Sequence, residues 1–196
     1  MELDLLYRVS VEGWIRAVRG LAPEHWDLPT PCTDWTVRDL VNHVAGEDLW
    51  TTPLLNGSTI ADVGDRFDGD VLGGEPIEGA VAAAEEALVT TEQALPAGGT
   101  VHLSYGEEQV EEYVRQLAAD HLIHSWDLAA AVGAPRGLDP AAVATVSGWF
   151  AEREELYRGA GIIADRVVVA AAGSDPQADL VAGFGRDPAW SAGRTV

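Results

Sequence analysis

Lysine is missing from these 196 residues, and the 12 basic residues, all arginine, face 32 aspartates and glutamates for a formal charge of −20. A surface of that sign repels phosphate backbones and anionic lipid, which argues against nucleic-acid and membrane partners. A single cysteine, Cys32, can form neither an internal disulfide nor a Cys-rich zinc cluster. Any metal must therefore be held by histidine and carboxylate. No apolar run approaches the ~18 uninterrupted residues of a membrane span. Met1 leads straight into ELDLLYRV, without the basic and apolar regions of a signal peptide, which predicts a cytoplasmic protein. No internal repeat or low-complexity segment is present. What the chain does have, 47% apolar residues and seven tryptophans, fits one sizeable soluble domain with its own core.

Leu3, Tyr7, Val11, Trp14, Val18 and Leu21 follow the spacing of an amphipathic first helix that ends near Gly20. The proline-rich LAPEHWDLPTPCTDW reads as a loop. Thr36 with Asp39 is a capping-box signature for a second helix reaching about Leu55. Asn56 to Glu75, rich in Gly and Asp and without periodicity, predicts a long exposed crossover whose carboxylates lack the spacing of an EF-hand. A third helix runs from Pro76 to Leu95, and Gly98 to Gly106 is a turn region with room for a short extended piece. A fourth covers Val110 to Val132, with Gly133 and Pro135 as stop signals. Asp139 and Pro140 open a fifth through Val143, Val146, Phe150 and Leu156. Beyond Gly159, VVVAAA reads equally as strand or helix, and Asp175-Pro176 starts a last short helix to Phe184. Four helices of about 20 residues, ~30 Å each, imply an all-α bundle, which builds its sites from side chains on facing helices.

The fourth helix concentrates the chemistry. Asp120 and His124 lie four residues apart and His121 three before His124, so all three project from consecutive turns. His124 falls in the apolar stripe of Tyr113, Leu117, Leu128 and Ala131, where an unpartnered imidazole costs roughly a few kcal/mol unless something coordinates or hydrogen-bonds it. On the second helix, His43 sits at the edge of the apolar face, one turn before Glu47. His43 and Asp120 with His124 are therefore candidates to converge on a metal, with His121 as a competing ligand. Blander readings stand beside these. A histidine on an apolar face is commonly satisfied by a backbone carbonyl, and Glu47 can be a solvated carboxylate instead of an acid/base group. Cys32 is a small buried hydrophobe or a redox thiol. Trp35 and Trp126 read as packing residues, Asp127 as the partner of an arginine or a helix cap, and Arg38 and Arg115 as surface ion pairs.

Three segments, PTPCTDWTVRDLVNHVAG, HLIHSWDLAAAVG and FGRDPAW, resemble actinobacterial metal-binding proteins related to the N-terminal domain of mycothiol-dependent maleylpyruvate isomerase, in the DinB-like superfamily. They spread from about Pro29 to Trp190, nearly the whole chain. The resemblance implies a DinB-like four-helix bundle of up-down-down-up topology over about residues 1–133, with extra C-terminal helices over about 139–196, in a single domain. It also implies a divalent metal, commonly zinc, with His43 and His124 as ligands and Asp120 where the isomerase has glutamate. Many DinB-like relatives use three histidines, which keeps His121 in play. The isomerase continues into a sizeable separate C-terminal domain, for which the last ~50 residues here are short. Three protein ligands leave a coordination position open. The implied activity is metal-dependent transfer or isomerisation of a small electrophile using a low-molecular-weight thiol, mycothiol, with Glu47 as the candidate acid/base residue. The alternatives are a non-catalytic bundle that binds metal or a small ligand, and a helical scaffold without metal. A homodimer is the oligomer such bundles commonly form, although no exposed apolar patch is assignable from the sequence.

Overall fold

The computed structural model describes residues 1–169 and 175–192. Helix α1, Leu3–Arg19, buries Tyr7, Val11, Trp14 and Val18 along one stripe. Helix α2, Val37–Leu55, opens on the expected capping box: Thr36 Oγ accepts from the Asp39 amide while the Asp39 carboxylate accepts from the Thr36 amide. That reciprocal pair satisfies two of the donors a helix start leaves free. Helix α4, Pro76–Ala94, buries a small-residue face of Ala80, Ala83, Ala84 and Ala87.

Helix α5, Val110–Ala131, is the centre of the molecule, since every residue from Leu117 to Ala131 except Asp120 is buried. Helices α4 and α5 each pack against both α1 and α2, which closes a four-helix bundle. The fold is all-α and DinB-like, with further helices after the bundle. Its two-stranded hairpin, β1 Thr100–Leu103 with β2 Gly106–Gln109, is the only sheet among the described residues. This is the extended piece expected between the third and fourth long helices. No helix among the described residues is long and apolar enough to cross a membrane.

The crossover between α2 and α4 is more ordered than its composition suggests. It contains a one-turn helix, α3 Ile60–Val63, and buries Val63 and Leu72. The Asn42 side chain ties it to α2, donating to the Gly69 carbonyl (2.9 Å) and accepting from the Val71 amide (2.8 Å). At Gly79 on α4 a Cβ would stand 2.9 Å from the Leu72 carbonyl oxygen, so the absence of a side chain there lets the crossover lie flat.

After the bundle, α6 Pro140–Ala151 packs on α5, α1 and α8 Pro176–Gly183. The expected helix from Asp139 through Leu156 is broken. It ends at Ala151 and resumes as α7, Glu154–Gly159, because Arg153 turns back toward α5. There its Nε and Nη2 donate to Glu112 (2.6 and 3.0 Å) and its Nη1 to the Trp149 carbonyl. Of the VVVAAA segment, Val167 to Val169 are irregular and residues 170–172 lie outside the described residues.

Candidate metal centre

Helix α2 supplies His43, and α5 supplies Asp120 and His124. The His124 Nε2 lies 3.2 Å from Asp120 Oδ1 and the His43 Nε2 3.8 Å from the same oxygen. The two imidazole centroids are 5.2 Å apart, and one ligand atom from each of the three residues lies within 4.8 Å of the others. The second oxygen, Asp120 Oδ2, is buried without a hydrogen-bond partner. Such an orphan acceptor costs about 1–3 kcal/mol, which coordination to a cation would remove. Two imidazole nitrogens and a carboxylate are the donor set of an open zinc site, so the residues present fit a divalent ion.

The other face of His124 is equally well determined. Its Nδ1 lies 3.0 Å from Asp127 Oδ2, and Asp127 is fully buried. Arg186 clamps that carboxylate through Nε and Nη2 at 3.0–3.3 Å. Cys32 completes the group: its thiol donates to Asp127 Oδ2 (3.3 Å), receives Arg186 Nη2 (3.2 Å) and lies 4.0 Å from His124 Nδ1. A tight loop presents Cys32 and Trp35 together, with the Trp35 amide bonded to the Cys32 carbonyl and Thr30 Oγ1 bonded to both carbonyls. The Trp35 ring lies 4.9 Å from His43 and 6.2 Å from His124, centroid to centroid.

Burial opposes ionisation of Asp120, but the His124 and His43 imidazoles outweigh it and hold the carboxyl well below its usual range. Burial likewise pushes His124 down, and Asp120, helped by Asp127 and Cys32, more than reverses this and raises it well above an ordinary histidine. Without metal, the two carboxylates that flank His124 thus favour its protonated form. A cation at Nε2 would replace that proton while Asp127 keeps the proton on Nδ1. Glu47, one turn from His43, has its carboxyl pushed up by burial and by the charge of Asp120. It lines a cavity of about 940 Å³ that also takes in His43, Asp120 and His124 and is walled by Trp35, Tyr113, Ile123, Trp149, Tyr157 and Phe184.

His121 does not join this group. Its Nδ1 lies 2.8 Å from the Leu117 carbonyl and its Nε2 3.0 Å from Asp48 Oδ1, with Tyr7 edge-on at 5.8 Å. The Asp48 approach is an ion pair not aligned as a hydrogen bond, and neither Asp48 oxygen has a hydrogen-bond partner among the described residues. Burial pushes Asp48 up despite the nearby imidazole.

Of the other singled-out residues, Trp126 is buried, Asp127 pairs with an arginine, and Arg38 and Arg115 make ion pairs with Asp70 and Glu112. The sequence reads Trp35 as a packing residue and Cys32 as a small buried hydrophobe or a redox thiol, and it gives Arg186 no role beyond membership of the FGRDPAW segment. Cys32 stands 92 positions from His124 and 154 from Arg186, and Arg186 stands 59 from Asp127, all beyond any spacing rule.

Residues 7–129 match the family described as mycothiol maleylpyruvate isomerase N-terminal domain. That span includes His43, Asp120, His124 and Asp127 and stops short of Arg186. An uncharacterized protein of Mycobacterium tuberculosis, from strain CDC 1551 / Oshkosh and again from strain ATCC 25618 / H37Rv, is 31% identical over 120 residues, 57% of each chain. The chain therefore spans just over half the length of the curated relatives it matches. No solved structure matches. With most of its length under that match, which covers most of each of the four bundle helices, the chain belongs to the mycothiol maleylpyruvate isomerase N-terminal domain family.

Proposed function

We propose that His43, Asp120 and His124 hold a divalent cation, zinc by the chemistry of the donors, and that the protein uses it with a low-molecular-weight thiol to transfer or isomerise a small electrophile. The observation that carries this reading is the convergence of the three ligand atoms beside an orphaned Asp120 oxygen, with the far nitrogen of His124 fixed by Asp127. When bound, such an ion lowers the pKa of a thiol and polarises a carbonyl. Family membership points to mycothiol as that thiol.

The chain's own residues supply the rest. Asp127 keeps the proton on His124 Nδ1, which leaves Nε2 free as a ligand, and Arg186 holds Asp127 in place. The Trp35 ring packs beside both imidazoles. Glu47, with its raised carboxyl on the cavity wall, is the group that would carry a proton to or from the substrate. Because Arg186 reaches the bundle from beyond α8, the bundle and its C-terminal helices would work as one unit.

The test is His124→Ala. Stoichiometric zinc in the purified protein should be lost while the helical circular dichroism remains, since the apolar stripes carry most of the stability. The cobalt-substituted parent should change its visible spectrum on adding mycothiol. Unchanged zinc content in the variant would remove the site, and a silent spectrum would remove the thiol.

A further inference from the structure

Resting on the reading above, we propose that the cavity over His43, Asp120 and His124 selects an uncharged, apolar electrophile and discriminates against carboxylates. Recognition of a carboxylate needs a cation with donors to spare, preferably a guanidinium fork. Among the described residues two arginines reach the cavity wall, and both are already committed. Arg153 places Nε and Nη2 on the two Glu112 oxygens, Nη1 on the Trp149 carbonyl, and its guanidinium over the Trp149 ring. Arg186 spends Nε and Nη2 on Asp127, Nη1 on the Phe184 carbonyl, and Nη2 also on Cys32. Neither offers a free fork. Glu47 and Glu108 face the same space with no arginine in ion-pair range among the described residues. A divalent ion already carrying Asp120 and a thiolate adds no net charge to attract an anion.

The mouth of the cavity repeats the message. Tyr105 at the hairpin turn, Leu156 on α7 and Ile162 beyond it are 61%, 68% and 64% exposed, and all three line the opening. Large apolar side chains left in water around a cavity mouth are the signature of a surface that an apolar ligand covers. These three line the same cavity as Trp35, Ile123, Phe184 and the two histidines.

The test uses a matched pair, methyl 4-nitrobenzoate and 4-nitrobenzoate, which differ by one charge and quench tryptophan. Trp35 and Trp149 line the cavity, so their fluorescence reports binding. Each probe is titrated into zinc-loaded protein saturated with mycothiol and, separately, into chelated protein, where no metal ion can capture the carboxylate and both His124 nitrogens are engaged by Asp120 and Asp127. The ester should bind at least tenfold more tightly than the carboxylate in both forms. Leu156→Arg, at an exposed position, adds a free guanidinium to the mouth and should narrow that ratio severalfold. Equal or tighter binding of the carboxylate, no ester binding up to its solubility limit, or an unchanged ratio in the variant would overturn the proposal. Failure of the metal and thiol reading would appear instead in the cobalt spectrum, while the ratio in chelated protein stands on its own.

Discussion

Asp127 offers the sharpest test of how the candidate centre is built, because it is not itself one of the three proposed ligands yet fixes His124 through its far nitrogen. Asp127→Asn keeps the shape and one acceptor oxygen but removes the charge facing Arg186 and the His124 Nδ1–H. Loss of a carboxylate that orients a metal-bound histidine typically weakens the metal by 10–100-fold, or about 1.4–2.7 kcal/mol. The same change leaves Arg186, whose side chain is only 15% exposed, without its counter-charge. Outright removal of one partner from a buried pair costs about 3–5 kcal/mol, and the amide, which still accepts a hydrogen bond, should cost less. Against a typical stability of about 5–15 kcal/mol the variant should remain folded. Zinc competition against a chromophoric chelator reads the first quantity, and urea unfolding of the metal-free protein reads the second. Zinc affinity within twofold of the parent, in a variant whose urea midpoint has fallen, would show that Asp127 serves packing alone and refute the orienting role.

Three further outcomes follow from the same structure. Asp48→Ala strands His121 in the core and should lower stability by about 3–5 kcal/mol in urea, whereas Asp48→Leu with His121→Leu should come close to neutral. If the double variant is as unstable as the single, the pair is not the source of the cost. In the metal-free protein, the raised His124 contributes stability that is full below its unfolded pKa near ~6.5 and fades as pH rises through the higher folded value. The lowered Asp120 contributes stability present above about 3.8 and lost as pH falls through its still lower folded value. Thermal melts should therefore lose stability at both ends of the pH range. Apparent zinc affinity should rise with pH above neutrality, since the ion must displace the His124 proton; competition titrations showing a flat profile would contradict this.

The bundle helices were legible because each one's stripe repeats over several turns and its ends carry short-range signals. Thr36 with Asp39, Pro76 and Gly133 act within four residues of themselves, so no tertiary knowledge is needed to read them. The break at Arg153 was hidden because its cause, the fork on Glu112, lies 41 positions away. The crossover is exposed over most of its length, as its composition implies, while the burial of Val63 and Leu72 and the anchoring by Asn42 from α2 depend on contacts that no local pattern gives.

The three histidine and aspartate candidates on α5 show where local reading stops. At 100° per residue Asp120 and His124 differ by only about 40° around the helix, so their shared face is a property of the sequence. His121 lies about 60° from His124, too little to exclude it by spacing alone. What separates them is α2, where His43 and Glu47 share one face and Asp48 is turned about 100° from Glu47. Once α2 packs on α5, His43 meets Asp120 and His124 while Asp48 meets His121. The sequence by itself therefore determined the helices, the acidic surface and the Asp120–His124 pair, all of which arise within a few residues of chain. Only the tertiary structure decided which histidine faces which carboxylate, and brought Cys32 and Arg186 to Asp127, because those contacts depend on how rigid helices dock over distances that no local pattern encodes.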